Sequence, residues 1–289
     1  MFVVAGSTGN TGSVVAQTLL DQKREVRVIV RDEAKGAAWK AKGAQVAVAN
    51  LDDASALTTA LKGAEAAYLL VPPPGYTATG ILASRRAVAD AEAQAVEASG
   101  VKYVVALSSV GADKTEGTGI VKSLHYFEER FAKLKTNVTF LRAGSFVENW
   151  GAVLQAAQHA GVLPTNGIVD RKIMTVSARD IGLTVAKLLV EPKPGHRVVN
   201  LAGPVDVSPN DVAAVLEKIL GKKLQVVFGP ADASMVKTLT SFGIGAELAE
   251  LYRELSDGLN RGHVDWQPGV ELLRGSTPIE QTLRAMLPH

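Results

Sequence analysis

Near the start of the chain, Gly6-Ser7-Thr8-Gly9-Asn10-Thr11-Gly12 has residue types and spacing suited to gripping a pyrophosphate. The run follows the apolar stretch Phe2-Val3-Val4-Ala5 and leads into Val14, Val15, Leu19 and Leu20, spaced as on a helix facing a sheet. In such a strand–turn–helix, Gly6 permits the tight turn, Gly9 lets the backbone approach phosphate, and Gly12 lets helix and strand pack closely. The helix start adds free N–H groups and the positive end of its dipole. The spacing is GxxGxxG rather than GxGxxG, so the strand-exit context is what marks a dinucleotide turn. Thr8, Asn10 and Thr11 share that turn and join the three glycines as cofactor-binding candidates.

Further candidates sit where later strands should end. Arg31 follows the second strand directly, and Lys35 comes shortly after. An acid there suits a ribose 2′-hydroxyl and a base suits a 2′-phosphate, so Arg31 and Lys35 favour NADP(H), although Asp32 stands between them. Asn50, Asp52 and Asp53 could meet adenine, and helix capping explains either Asp equally well. Val71, Pro72, Pro73, Pro74, Gly75 and Tyr76 form a stiff loop where the nicotinamide ribose would pass. Val71 and Pro72 are read as cofactor contacts. Tyr76 is read as facing the substrate, with an exposed loop tyrosine as the plain alternative. Phe146 and Asn149 are the other substrate-side candidates: a flat wall, for which a core aromatic is the alternative, and a carbonyl-bonding amide.

Carbonyl reduction by hydride commonly uses a Tyr proton donor, a Lys four residues later and a Ser on the preceding strand. The nearest arrangement here is Tyr126 with Arg130, and Ser108 or Ser109 lies too far back along the chain. Arg cannot take the Lys role, because it does not deprotonate. The catalytic residue is therefore left open, with His125 and Tyr126 as candidates.

The elements that must position these residues alternate. Strand-like apolar runs fall at 2–5, 26–30, 45–48, 66–71, 103–107 and 138–141, with helical patterns at 11–21, 33–42, 54–61, 81–99 and 123–134. Strict β–α alternation with apolar rather than alternating strands implies an α/β protein with a doubly wound parallel Rossmann sheet. Beyond residue 150 we expect a helix at 151–160, a helix capped by Asp180 and running to 189, and a strand at 198–201. Ser208-Pro209 should start a helix stopping at Gly221, with a strand at 224–228. The remainder, 231–287, reads as mostly helical with a break at 262–269. The domains expected are 1–150, an NADP-binding unit, and 151–289, a smaller C-terminal α/β portion sharing elements at about 178–203 with the sheet.

Composition bounds the function. The 289 residues are 47% hydrophobic and 21% charged, with a net charge of +2 and acids and bases mixed along the chain, so no nucleic-acid partner is indicated. No apolar run approaches the roughly 18 residues that span a bilayer, and no leader pattern opens the chain. Without Cys there is no disulfide, thiolate metal site or Cys nucleophile, and no metal site is read. A soluble, cytoplasmic protein is expected. Association into a homodimer is left open.

The sequence resembles the NmrA-like group of atypical short-chain dehydrogenases over nearly its whole length, and within it the type 2 quinone oxidoreductases and triphenylmethane reductase. The resemblance rests on GSTGNTG, VRDEAK, VKYVVALSSVGA and LHYFEERFAKLKTNVTFLRAGSFVENW, and on the closing SFGIGAELAELYRELSDGLNRG and TPIEQTLRAML. It implies a Rossmann domain, a smaller C-terminal domain, NADP(H), and hydride transfer to a quinone or dye without a Tyr/Lys pair. Asn50 departs from the Asp common in the group, and Lys122 is only loosely in register with the catalytic Lys of isoflavone-reductase relatives. The main expectation is an NADPH-dependent reductase acting on a small-molecule electron acceptor. A non-catalytic NADP(H) sensor of the NmrA type and a carbonyl or sugar-nucleotide enzyme are the alternatives.

Overall fold

The computed structural model describes residues 1–287. Residues 288 and 289, the end of the segment 151–289, lie outside the described residues. The first half runs β1 (Phe2–Val4), α1 (Asn10–Asp21), β2 (Val26–Val30), α2 (Glu33–Ala41), β3 (Gln45–Val48), α3 (Ala54–Leu61), β4 (Ala66–Leu70), α4 (Ile81–Ser99), β5 (Tyr103–Ser109), α5 (Lys122–Phe131) and β6 (Asn137–Ala143). Then come β7 (Ser145–Phe146), β8 (Val162–Thr165), β9 (Thr175–Val176), α6 (Ala178–Val190), β10 (His196–Ala202) and α7 (Pro209–Leu220). The chain closes with β11 (Gln225–Phe228), α8 (Ala233–Ser241), α9 (Ala246–Arg261), β12 (Glu271–Arg274) and α10 (Ile279–Met286).

Eight strands form one parallel sheet in the order β12-β10-β6-β5-β4-β1-β2-β3. The order reverses between β1 and β4, which opens a crevice beyond their carboxyl ends. Both faces are covered, and this is why the strands are mostly apolar and do not alternate with polar residues. Val15 and Leu19 of α1 and Ile181, Val185 and Leu189 of α6 bury one face. Leu57 and Leu61 of α3, Ala89 and Val96 of α4, and Phe127 and Phe131 of α5 bury the other. The fold is thus the doubly wound Rossmann sheet. A third cluster, including Val147, Leu163, Val212, Leu216 and Leu283, joins the parallel pair β8–β11 to α7 and α10. Among the described residues no helix is long and apolar enough to cross a membrane.

Three expectations are corrected. The helix expected at 151–160 is present but starts earlier and is irregular, a 3-10 segment (Val147–Val153) running into a short π segment (Ala156–Ala160). Asn149 and Gly151 favour helix poorly, and the segment is drawn against α10 through Trp150 and Val153. Ser177, not Asp180, caps α6, accepting from the Asp180 amide at 3.0 Å. The Asp180 carboxylate instead accepts from the Thr277 amide and hydroxyl. Finally, β12 occupies a stretch read as helix. It is a four-residue edge strand with a charge at each end, too short and too polar for periodicity to identify. The capping reading at Ser208 holds: its hydroxyl and Asp211 form a reciprocal box, with Pro209 at the first helical position.

Glu92 of α4 is an oddity within this core. It is fully buried, and its carboxylate oxygens have no hydrogen-bond partner among the described residues. Burial holds its pKa well above the usual carboxylate range. A raised folded-state pKa contributes stability that is present below the unfolded value and lost as pH rises through the folded one. Glu92→Gln keeps the shape and cannot ionise. It should be more stable than the parent at pH 8, with the gap closing towards pH 4.5. Thermal unfolding of both proteins across that range measures it.

Candidate cofactor and acceptor site

The β1–α1 turn shows why its glycines stand where they do. Gly6 has φ +63°, so the left-handed position falls there and not at Gly9, whose φ is −102°. A Cβ on Gly12 would lie 2.3 Å from the Gly6 carbonyl oxygen and 2.7 Å from that of Ala5, so only glycine lets α1 start so close to β1. A Cβ on Gly9 would meet one atom, the Gly6 oxygen at 3.3 Å, leaving the space above the turn open.

The first turn of α1 has neither a side-chain cap nor an acidic residue, so its leading amides remain available to an anion. Thr8, Gly9 and Asn10 are exposed at this point. Thr11 is buried, and its hydroxyl pairs with the Tyr68 hydroxyl at 2.8 Å. It supports the turn from below and can offer a ligand only its amide. An uncapped helix start, open above Gly9, over a contact a Cβ would fill, fits a dinucleotide pyrophosphate.

The exits of β2 and β4 flank this turn, because β2, β1 and β4 are neighbours. Asp32 is spent capping α2, accepting from the Ala34 amide at 2.9 Å. Arg31 and Lys35 are exposed beside it. Asp53 caps α3 through the Ser55 and Ala56 amides, both at 3.0 Å, leaving Asn50 and Asp52 exposed at the β3 exit. At the β4 exit Val71 is buried, and the Pro72 carbonyl accepts from Arg85 Nη1. Tyr76 is 71% exposed, while its carbonyl accepts from the Gly245 amide at the start of α9.

Two strands away, the side chains that would make a Tyr/Lys/Ser site are committed elsewhere. Tyr126 donates to Asp90 of α4 at 3.0 Å, and Arg130 Nε donates to the same carboxylate at 2.8 Å. The Asp90 hydrogen bond, above all, raises the Tyr126 pKa. Ser108 donates to Glu128 at 2.5 Å and is 3% exposed. Glu128 also holds Arg142 in a two-pronged pair at 2.8 and 2.6 Å, and Arg142 Nη1 reaches Gln267. His125 Nδ1 donates to the Ala112 carbonyl at 2.8 Å, with Nε2 3.7 Å from Glu129.

A cavity of about 120 Å³ lies among Trp150, Asn166, Ile173, Thr175, Pro209 and Asn260. The Thr175 hydroxyl is buried there without a partner. Tyr76, Phe146 and Asn149 do not line it. Phe146 is half-buried, packs on the sheet core and pairs with Val176, while Asn149 is exposed in the 3-10 turn. Sequence reasoning missed this cavity because separate segments meet to make it, and no local pattern marks Thr175 or Asn260.

A sequence model of the NmrA-like family matches residues 1–280. The chain is 29% identical over 265 residues to quinone oxidoreductase 2 of Escherichia coli (strain K12), covering 91% of this chain and 89% of that protein. It is 26% identical over 257 residues to an NAD(P)H azoreductase of Xenophilus azovorans, covering 88% and 86%. Among solved structures, an NADPH-dependent quinone oxidoreductase of Escherichia coli complexed with NADPH superposes with a TM-score of 0.82. It is 26% identical, with 99% of both chains covered.

Proposed function

The chain belongs to the NmrA-like family, and from that premise we propose an NADPH-dependent oxidoreductase that passes hydride to a quinone or similarly flat acceptor without a Tyr/Lys pair. The observation that carries the last part is the Asp90 cluster. Tyr126 and Arg130, the nearest approach to such a pair, both bond a carboxylate on α4. The relatives' names, a quinone oxidoreductase and an azoreductase, support the reaction class.

NADPH, when bound, supplies the hydride. The amides at the start of α1 hold its pyrophosphate, Gly6 and Gly12 shape the turn, and Arg31 with Lys35 meets the 2′-phosphate. Val71 and Pro72 border the nicotinamide side. We read 1–150 as the cofactor-binding unit and the rest as the roof that excludes water and orients the acceptor. A quinone stabilises the charge it gains in its own ring and takes its proton from water, so positioning supplies most of the catalysis.

Arg31→Ala should lower NADPH affinity by about ten- to a hundredfold, the worth of a charge-assisted phosphate contact. NADH affinity should barely change. Calorimetry with both cofactors checks it, and equal affinities in the parent would remove the assignment. The reaction itself is tested by following NADPH oxidation with 1,4-benzoquinone. Tight NADPH binding with no turnover on quinones, dyes or aldehydes would support the sensor reading instead.

A further inference from the structure

Arg85, in the second turn of α4, is 7% exposed, and its charge has no acidic partner among the described residues. Its Nε donates to Ser123 Oγ at 2.7 Å and its Nη1 to the Pro72 carbonyl, both neutral acceptors that an uncharged donor would serve as well. The acids on the elements packed around it are committed elsewhere. Glu247 of α9 takes the Gly80 and Ile81 amides, and Glu254 of α9 pairs with Lys122. Asp90 takes Arg130, and Glu128 takes Arg142. Glu92 lies about 10 Å further along α4 at 1.5 Å per residue. Tyr252 of α9 is the ionisable group that acts on Arg85. Burial pushes the guanidinium down to about 10, a sign of an uncompensated charge.

Among the described residues Nη2 has no acceptor, and unlike Nη1 of Arg197 it keeps contact with solvent. The group stands behind the Pro72 loop at the β4 exit, where the crevice opens. A buried cation without a counter-ion is costly, and a ligand that supplies one recovers that cost on binding.

We propose that the Arg85 guanidinium, through Nη2, binds an anionic oxygen on the acceptor, so that the site selects flat acceptors carrying a carboxylate or sulfonate over neutral ones. This rests on the reductase reading for its location and on the unpaired charge for its chemistry. The test needs no turnover. Protein saturated with NADP⁺ is titrated by calorimetry with naphthalene-2-sulfonate and with naphthalen-2-ol, which differ in charge on one flat ring system. The parent should bind the sulfonate at least about tenfold more tightly, as for a charge-assisted contact, and added salt should reduce the difference. Arg85→Met should erase the preference, and Arg85→Lys should keep part of it.

Equal affinities in the parent would overturn the proposal, and that comparison stands even if Arg85→Met does not fold. A preference that survives in Arg85→Met would also overturn it. So would competition between naphthalene-2-sulfonate and NADP⁺ for the parent protein, which would make the bound anion the cofactor's own phosphate. If the preference holds while no quinone, dye or aldehyde, charged or neutral, is reduced, the anion site stands and the reductase reading falls.

Discussion

Gly12→Ala should leave a protein that no longer binds NADPH measurably and is less stable by about 1–3 kcal/mol, the usual cost of overpacking. The added Cβ would sit 2.3 Å from the Gly6 oxygen and 2.5 Å from its carbonyl carbon, both backbone atoms of the turn. Neither can rotate aside as a side chain would, so α1 must shift away from β1. Its leading amides move with it, off the position the pyrophosphate needs. Gly9→Ala is the informative control. Its Cβ meets a single atom at 3.3 Å and the backbone there is already extended, so folding stability should change little. Thermal unfolding and calorimetry on both variants separate the two roles. A Gly12→Ala protein binding NADPH like the parent would mean the phosphates are held elsewhere.

Glu128→Ala should destabilise the protein by about 3–5 kcal/mol, the range for stranding one member of a buried ion pair. Its carboxylate takes two bonds from Arg142 and one from Ser108, tying α5 to β6 and β5. The Arg142 side chain is only 6% exposed, so its charge could not turn to water. Asp113, 4.0 Å away, is a poor substitute. The double variant Glu128→Leu/Arg142→Met removes both charges and should recover much of the loss. Urea unfolding midpoints of the single and double variants measure the coupling. An additive result would mean the pair contributes nothing as a pair.

What the sequence made legible was local. The turn from Phe2 to Gly12 writes its own geometry, because each glycine answers a backbone demand within a few residues. Mostly apolar strands such as Phe2–Val4 and Ala66–Leu70 announce burial on both faces, and the β–α alternation points to the doubly wound class. Capping chemistry also reads forward, as at Ser208 with Asp211. The side of the site that faces the acceptor is different, because it depends on which distant segments meet. Nothing near Thr175 tells that Trp150 and Asn260 will close a cavity on it. Arg85 looks like any charged residue on an amphipathic helix until Pro72 and Ser123 are seen around it. Asp180 reads as a cap by residue type, but the C-terminal segment brings Thr277 to its carboxylate, and Ser177 takes the cap.

Hydride transfer without a tyrosine acid is the central claim, and the pH–rate profile of Tyr126→Phe beside the parent tests it most directly, with NADPH and 1,4-benzoquinone as substrates. Tyr126 is bonded to Asp90, so its loss should change kcat by less than about threefold, against the roughly 10²–10⁴-fold typical of losing a general acid. The two profiles should keep the same shape. A collapse of kcat in Tyr126→Phe with NADPH affinity intact would contradict the account and make Tyr126 the proton donor of a carbonyl reductase.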